Sequence, residues 1–420
     1  MPEKITDRQE RIPGFRQSVI DHAKIAVLGA GRTANEVLKN LALVGFRTVF
    51  IVDMDTVSDT NLPGTALFTK RDVGEQKAAL AAEGFSGMAT AAAPVVDHLN
   101  TDICTGLGEG VLNQYDAIIN CVDNLETRLY VARIAKLLGK PCIDTGIDGF
   151  DWTLFCSSGD TDTPCYACTM TAQQEADALV RVRNSCDVTL KKSAAQGRAA
   201  TIITSASQVG GMAVDRLIKA LHNMQEPSPA YDPRYGRMTI FQSGGMQLRG
   251  FQFHVRTDCD NHIRYEDFGG IRKTPLSADN TLEEVLTWAS QHCGQGYYLS
   301  ILKDCAKITN RAFIAAAKCK HCGAPINVYR PQFTLHDEDL LCEACMAAKN
   351  QPVQPSEAVS MYRFDWNAEP KILAMPLRAL GIPPLHIIEL DPIDEEQLPL
   401  FLELDGDLPA VLPNLAKAEG

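Results

Sequence analysis

The feature that most constrains this chain is a short apolar run, residues 24–28, followed by Gly29 and Gly31. Apolar side chains then recur at helical spacing as far as Leu43, so the pattern predicts a strand, a tight turn and a helix. Such a turn favours phosphate, because glycines let the backbone approach an anion and the helix start offers free N–H groups. A second apolar run, residues 48–52, ends in Asp53, where a carboxylate can accept hydrogen bonds from a ribose. The two features predict a nucleotide site and leave open whether the nucleotide is ATP or NAD.

Length and charge limit the possible function classes. The chain has 420 residues, 45% of them hydrophobic, which is enough for a large core and two or three domains. Its net charge of -12 argues against a nucleic-acid-binding surface, which needs basic stripes, and is compatible with a basic protein partner. No apolar run approaches the roughly 20 residues of a membrane span, and the N-terminus is charged, unlike a secretory signal. We therefore expect a cytoplasmic protein with no nucleic-acid or membrane partner.

Predicted strands and helices alternate from residue 24 to about residue 146. Further strands are predicted at 91–96, 117–121 and 141–144, with an amphipathic helix over 127–138 between the last two. This alternation predicts an α/β fold with a Rossmann-like, doubly wound, mostly parallel sheet that binds its ligand at the carboxyl ends of the strands.

The remaining segments suggest how the chain divides. Residues 1–23 are expected to form an N-terminal helix, and 24–268 the nucleotide-binding domain. Residues 269–350 are expected to hold helices, among them 282–290 and 299–305, and a zinc ribbon. A proline-punctuated linker then leads into an accessory module over 351–420.

Polar residues collect where the predicted strands end. Asp53 and Asp55 follow the second strand, and Asp123 and Asn124 follow the fourth. A carboxylate at this edge could hold Mg²⁺ beside a nucleotide, although Asp or Asn after a strand can also serve only as a helix N-cap. Lys77 has two readings as well: it could be solvated, or it could neutralise phosphate charge in a transition state.

The order and spacing of these residues resemble the E1-like activating enzymes, the ThiF, MoeB and HesA superfamily. The resemblance covers roughly residues 6–265 and is carried by Gly29-x-Gly31, Asp53-x-Asp55, Asn61-Leu62, Lys77 and Asp123-Asn124 with Arg128. It implies that ATP and Mg²⁺ are cofactors and that the substrate is the C-terminal glycine of a ubiquitin-like or sulfur-carrier protein. That glycine would be adenylated and in many members passed to a cysteine.

The resemblance also implies roles for individual residues. Asp53 would hold the ribose, Lys77 and Asn61 the phosphates, and Asp123 the Mg²⁺. The two glycines, Asp55 and Asn124 complete the expected nucleotide-binding set.

Catalysis across a homodimer is a further implication of the resemblance. Arg8, in the pair Arg8-Gln9, would reach the ATP of the other subunit, with Arg11 as the second choice.

One departure from the family pattern concerns a phosphate-binding arginine. Where the family shows Asn-Leu-Asn-Arg-Gln, residues 61–65 read Asn-Leu-Pro-Gly-Thr, so Gly64 stands in the arginine's place. We hypothesise that Arg32, at the helix start, supplies the lost positive charge. The alternative is a degenerate site that serves only as a scaffold.

The chain contains 14 cysteines, and several are paired at zinc-binding spacings. The Cys-x-x-Cys pair of Cys165 and Cys168 is placed as in the family, whose second pair closes a zinc site. Here Cys259 and His262 offer Cys-x-x-His, and a Cys₃His site is chemically sound because zinc accepts imidazole as well as thiolate.

A second set of cysteines has the spacing of a zinc ribbon. It comprises Cys319, Cys322, Cys342 and Cys345, and it predicts a second Zn²⁺. In the competing arrangement the first Cys-x-x-Cys pair would join one of these later pairs, leaving one zinc fewer.

Cys186 stands alone in the interval, around 169–200, that in the family holds the crossover loop and can hold the thioester-forming cysteine. The basic residues Arg181, Arg183, Lys191 and Lys192 would lower the pKa of its thiol. The opposing interpretation is an inert packing cysteine.

We therefore expect a homodimeric, zinc-containing E1-like enzyme that adenylates a ubiquitin-like protein, forms a thioester on Cys186 and hands the acyl group to an E2-like conjugating enzyme. The extra C-terminal ribbon favours a ubiquitin-like pathway, such as the bacterial ones of antiphage defence. The alternatives are sulfur-carrier activation for thiamine or molybdopterin synthesis, a nucleotide-binding scaffold without turnover, and an NAD oxidoreductase.

Overall fold

An eight-stranded sheet forms the centre of the protein in the computed structural model, which describes residues 5–183, 200–222, 236–294, 296–301, 311–354, 357–394 and 396–419. Its strands are β1 (Lys24–Leu28), β2 (Thr48–Val52), β3 (Val95–Leu99), β4 (Ala117–Asn120), β5 (Cys142–Asp148), β6 (Asp151–Ser157), β7 (Arg237–Gln242) and β8 (Gln247–Gln252). Their spatial order is β3-β2-β1-β4-β5-β6-β7-β8; the first five are parallel and the last three extend the sheet antiparallel. The predicted Rossmann-like, mostly parallel sheet is confirmed.

Helices cover both faces of this sheet, as the alternating pattern predicts. The described helices are α1 (Asp7–Glu10), α2 (Gln17–His22), α3 (Arg32–Val44), α4 (Lys77–Met88), α5 (Glu109–Asn113), α6 (Leu125–Leu137), α7 (Ala172–Arg183), α8 (Ile203–Leu221), α9 (Leu282–His292), α10 (Glu343–Ala347), α11 (Pro370–Leu373), α12 (Leu408–Val411) and α13 (Pro413–Glu419). Helices α3, α4 and α8 pack on one face of the sheet, and α5, α6, α12 and α13 on the other. No helix in the described part of the chain is long and apolar enough to cross a membrane.

Two local predictions in the first 100 residues are wrong. The N-terminal segment forms two short helices instead of one, because Pro13 and Gly14, with φ +84°, separate α1 from α2. The third strand begins at Val95 and not at residue 91, because residues 89–94 are mostly alanine and end in a proline, a poor sequence for a buried strand.

Eight further strands form two smaller sheets beyond residue 270. They are β9 (Ile271–Thr274), β10 (Tyr297–Ser300), β11 (Phe313–Lys318), β12 (Pro325–Pro331), β13 (Ala358–Met361), β14 (Arg363–Phe364), β15 (Ile387–Pro392) and β16 (Leu400–Leu404). A five-stranded sheet has the order β14-β10-β15-β16-β9, and a three-stranded ribbon the order β12-β11-β13. The predicted helix over 299–305 is wrong at its start, since residues 299 and 300 lie in β10; residues 302–310 are outside the described part.

The five-stranded sheet joins segments that are far apart in the chain. Strand β9 pairs in parallel with β16, so the segments expected as separate units, 269–350 and 351–420, contribute to one sheet. The ribbon lies between β10 and β14 in the chain. The expected boundary near residue 350 therefore stays a prediction.

The end of the chain returns to the first sheet. The backbone N–H groups of Asn414 and Leu415, at the start of α13, donate to the buried Asp97 carboxylate on β3 at 3.0 and 2.9 Å. Leu412 and Leu415 join the same buried cluster as Phe50 on β2. Helices α12 and α13 therefore cover part of one face of the first sheet.

Candidate nucleotide site and metal centres

The glycine turn after β1 lies where the strand order reverses between β1 and β4, the usual ligand position in open α/β sheets. Gly29 has φ +91°, and a Cβ there would lie 3.2 Å from the Cys121 carbonyl oxygen, so the position requires glycine. A Cβ at Gly31 would have no heavy atom of the described residues within 4 Å. The turn therefore borders open space at the start of α3, as a phosphate cradle requires.

Asn35 fixes this turn from inside, and the sequence analysis missed it. Its side-chain amide donates to the carbonyl oxygens of Ala30 and Gly31, both at 3.0 Å, and its side-chain oxygen accepts from Leu67 N at 2.9 Å. Asn35 is fully buried. A polar residue on the apolar face of an amphipathic helix is the signal that could have revealed it.

Asp53 braces the glycine turn. Its carboxylate accepts from the backbone N–H groups of Ala30 at 2.7 Å and Asp55 at 2.8 Å. Burial raises the pKa of this carboxyl group, while the charge of Lys77 opposes the shift. Each carboxylate oxygen of Asp53 keeps a second lone pair, so it could also accept a hydrogen bond from a ribose hydroxyl.

Lys77 lies at the start of α4 and faces the crevice. Only 8% of it is exposed, and its Nζ lies 2.8 Å from Oδ2 of Asp55, whose side chain is 57% exposed. The backbone N–H of Lys77 also donates to the Asp55 carbonyl at 3.0 Å. A largely buried ammonium is thus held beside the crevice by one exposed carboxylate.

Arg32 occupies the space above Gly64. A Cβ at Gly64 would lie 1.8 Å from Nε of Arg32 and 2.2 Å from its Cδ, so only glycine allows this arrangement. The guanidinium donates to the carbonyl oxygen and, at 2.7 Å, to the hydroxyl of Thr201, and to Thr60 O at 3.1 Å. The side chain of Arg32 therefore occupies the space in which an arginine at position 64, as in the family pattern, would begin.

The remaining predicted crevice residues differ in their contacts. Asn124 caps α6, since its side-chain oxygen accepts from Thr127 N at 2.8 Å. Asp123, next to it, is exposed, and its carboxylate has no hydrogen bond within the described chain. Asn61 closes its own loop by accepting from Ser58 N at 2.9 Å. Asp123 is therefore free to meet a cation, while Asn124 serves as the cap.

Arg8 and Arg11 are not in this crevice. Gln9 donates to the Val44 carbonyl at 2.8 Å, so α1 lies against the C-terminal end of α3. That helix has 13 residues and is about 20 Å long, which separates Arg8 from the glycine turn of its own chain. Arg11 forms an exposed ion pair with Asp7.

The structure brings Cys165, Cys168, Cys259 and His262 together, with all ligand atoms within 4.8 Å of one another; we call these four residues the first cluster. Sγ of Cys165 lies 3.9 Å from Sγ of Cys168 and 3.7 Å from that of Cys259. Tetrahedral zinc with bonds of about 2.3 Å separates its sulfur ligands by about 3.7 Å. The donor set and its spacing therefore fit zinc.

Cys319, Cys322, Cys342 and Cys345 form an equally tight group in the ribbon, which we call the second cluster. Sγ of Cys322 lies 3.6 Å from Sγ of Cys342, again a separation that suits zinc. Two separate groups of four thus exist, and the competing arrangement that mixes the first pair with a later one is wrong. Cys322 is exposed, whereas Cys165 and Cys168 are buried.

Cys186, the candidate thioester cysteine, lies outside the described residues, as do residues 184–199 of the expected crossover loop. The helix α7 leads into that segment, and α8 follows it.

Comparisons with known proteins identify the family of this chain. The ThiF family model matches residues 6–261. The SUMO-activating enzyme subunit uba-2 of Caenorhabditis elegans is 34% identical over 160 residues, which cover 37% of this chain and 27% of that protein. The NEDD8-activating enzyme E1 catalytic subunit of Arabidopsis thaliana is 32% identical over 175 residues, which cover 38% of this chain and 37% of that protein. The chain thus spans well under half of either relative.

Among solved structures, E. coli MccB with succinimide is similar with a TM-score of 0.50 and 18% identity, over 62% of this chain and 74% of that one. This similarity supports the fold. Since the family model matches more than half of the residues, the chain belongs to the ThiF family.

Proposed function

We propose that this protein is an E1-like enzyme that uses ATP to adenylate the C-terminal glycine of a ubiquitin-like protein and then forms a thioester with it on Cys186. One observation carries the proposal: in a ThiF-family domain, the glycine turn, the Lys77–Asp55 pair and the exposed Asp123 follow the carboxyl ends of the neighbouring strands β1, β2 and β4. Relatives named as SUMO- and NEDD8-activating enzymes favour a protein substrate.

In the first step the carrier's terminal carboxylate attacks the α-phosphorus of ATP. The bond to the β-phosphate breaks, pyrophosphate leaves, and an acyl-adenylate forms. Lys77 and Arg32 would stabilise negative charge on the phosphates, and the crevice would hold the reacting groups in line. Asp123 is the residue that would hold Mg²⁺, which neutralises phosphate charge when bound.

In the second step the Cys186 thiolate attacks the acyl carbon and AMP leaves. The thiol proton passes to solvent, and the basic residues near Cys186 in the sequence would favour the thiolate. The thioester would then be handed to an E2-like conjugating enzyme, in a pathway of the antiphage type.

The position of Arg8 favours a homodimer. It lies at the far end of α3 from the glycine turn of its own chain, so it can act on ATP only in another subunit. Size measurement by light scattering, together with mixing of Arg8→Ala and Lys77→Met subunits, tests this part. Activity of the mixture above that of either variant alone would support action across the dimer.

An exposed apolar surface beside the crevice suits the carrier protein. Phe150, in the β5–β6 turn, is 62% exposed, and Met246 and Leu248, at the β7–β8 turn, are 79% and 60% exposed; we call these three residues the hairpin-tip patch. Both turns lie at the carboxyl edge of the first sheet, and Asp151 joins them by accepting from Ser243 N at 2.8 Å and its hydroxyl at 2.7 Å.

The hairpin-tip patch is linked to the glycine turn through Thr201. The turn residue Gly149 pairs with Thr201, whose carbonyl accepts from Arg32. We place the globular part of the carrier on the hairpin-tip patch, because from there its C-terminal tail would run past Thr201 to the phosphates. Exposed apolar patches of this kind are typical of protein contacts.

Mass spectrometry of the protein with ATP, Mg²⁺ and a carrier ending in glycine tests the proposal. We expect pyrophosphate release and an adduct of one carrier mass that thiol reductant removes and that Cys186→Ala lacks. Adenylated carrier without an adduct would overturn the thioester step and favour sulfur transfer. ATP binding without pyrophosphate release would indicate a scaffold, and a change in nicotinamide absorbance an oxidoreductase.

A further inference from the structure

Lys136, in the last turn of α6, is buried although it carries a charge. Only 1% of it is exposed. Its ammonium donates to the carbonyl oxygens of Ser158 at 3.0 Å and Thr163 at 2.7 Å, to the Thr163 hydroxyl at 2.9 Å, and to the Asp160 carbonyl. These acceptors all belong to one loop, residues 158–163, which is therefore folded around this cation.

The same loop holds the histidine of the first cluster. His262 Nδ1 lies 2.8 Å from the carbonyl oxygen of Thr161, so Nδ1 carries the proton. The other ring nitrogen, Nε2, lies 3.1 Å from Sγ of Cys168, on the side where the metal would bind, and is the nitrogen that faces the cluster. The loop also leads directly into Cys165.

Two more contacts hold the 158–163 loop close to the C-terminal end of α6. A Cβ at Gly159 would lie 1.9 Å from the Gly139 carbonyl oxygen, so the backbone approaches that helix end as closely as glycine permits. Arg264 donates to the Gly159 carbonyl from Nη2 at 2.8 Å and from Nε at 3.1 Å. The loop is thus placed by two cations, one of them fully buried.

We propose that Lys136 is a positioning residue of the first cluster: it fixes the 158–163 loop and, through Thr161, the tautomer and orientation of His262. Its charge has a second effect. Zn²⁺ with three thiolates and one neutral imidazole carries one net negative charge, and a buried ammonium close by offsets it. This inference rests on metal binding at the first cluster and is independent of the adenylation chemistry.

Zinc affinity of the purified full-length protein, measured by competition with a chromophoric chelator, tests the proposal. We expect Lys136→Met to weaken zinc binding at the first cluster by about tenfold, the lower end of the effect of removing a direct partner of a metal ligand, because Lys136 acts on His262 through the Thr161 carbonyl. Lys140→Met is the matched control: this lysine lies just past the same helix and interacts with the charges of Asp116 and Glu266. Equal affinity in Lys136→Met and the wild type would overturn the proposal.

A milder variant covers the case in which Lys136→Met does not fold. Thr163→Val removes one acceptor of the ammonium and keeps the charge, so zinc affinity should fall by less than in Lys136→Met. Nitrogen NMR of the zinc-loaded variant supplies a second readout. We expect the single Nδ1-protonated form of His262 in the wild type and a mixture of ring states in the variant. A single form with unchanged zinc affinity would contradict the proposed role.

Discussion

The crevice and the first cluster lie in one domain but hold their polar groups in opposite ways. In the crevice, Asp123 is exposed and Lys77 is held by a single, largely exposed carboxylate. At the first cluster, two of the cysteines are buried and the nearby Lys136 ammonium has four acceptors. The crevice groups keep bonding capacity for a ligand, whereas the cluster groups use theirs to hold the fold. We therefore expect substitutions in the crevice to lower activity and substitutions at the first cluster to lower the stability of the protein.

The largest effect is expected for Lys77→Met. Removing one cation that stabilises transition-state charge should lower adenylation about 10²- to 10³-fold. The melting temperature should stay close to that of the wild type, because the carboxylate left behind on Asp55 is mostly solvated. Pyrophosphate release and calorimetry measure the two quantities, with the exposed Lys70→Met as matched control. A large loss of stability in Lys77→Met would contradict the claim that the crevice residues contribute to activity and not to stability.

The two cysteine clusters test the same comparison through the stability of the protein. Cys168→Ala removes a buried ligand inside the nucleotide-binding domain, and the free energy of unfolding should fall by about 3 kcal/mol or more. Cys322→Ala, in the ribbon, should release zinc without lowering the melting temperature of that domain. Calorimetry combined with zinc analysis distinguishes them. Equal destabilisation by both variants would show that the ribbon and the domain unfold together.

An exchange of residues tests whether Arg32 replaces the missing arginine. Arg32→Ala should lower adenylation about 10- to 100-fold by loss of one phosphate contact. Gly64→Arg alone should also be impaired, because its side chain would collide with that of Arg32.

The double variant Arg32→Ala/Gly64→Arg is the informative one. It places the cation where the family carries it, so its activity should exceed that of either single variant, as a double-mutant cycle would measure. If Arg32→Ala turned over at the wild-type rate, Arg32 would have no part in phosphate binding.

The smallest effect is expected at the hairpin-tip patch. Met246→Asp should raise the KM for the carrier about tenfold through lost apolar contact, while the KM for ATP stays unchanged. Steady-state kinetics with each substrate varied in turn make the distinction. Leu43→Asp, at a 52% exposed leucine near the opposite edge of the sheet, is the control. An equal rise in both KM values would contradict docking at this patch.

The sequence predicted the first sheet and its glycine turn because both depend on local signals. Apolar runs mark β1 and β2, and Gly29 marks the turn, where a positive φ admits little else. The family resemblance, rather than spacing alone, grouped Cys259 and His262 with the first Cys-x-x-Cys pair, and the structure brings these four residues together.

The missed features depend on contacts between distant residues. Lys136 follows Ile134 and Ala135 in an amphipathic helix, where a lysine is ordinarily solvated, and its acceptors lie on a loop more than 20 residues away in the chain. Strand β9 pairs with β16 across more than 100 residues, so no local pattern reveals their shared sheet.

The most direct test of the central claim is exchange of labelled pyrophosphate into ATP, which depends on reversible adenylation. With a carrier ending in glycine, we predict exchange by the wild type and by Cys186→Ala, and a loss of about 10²-fold or more in Lys77→Met. Absence of exchange in the wild type, with ATP bound and the carrier present, would contradict adenylation and leave a nucleotide-binding scaffold.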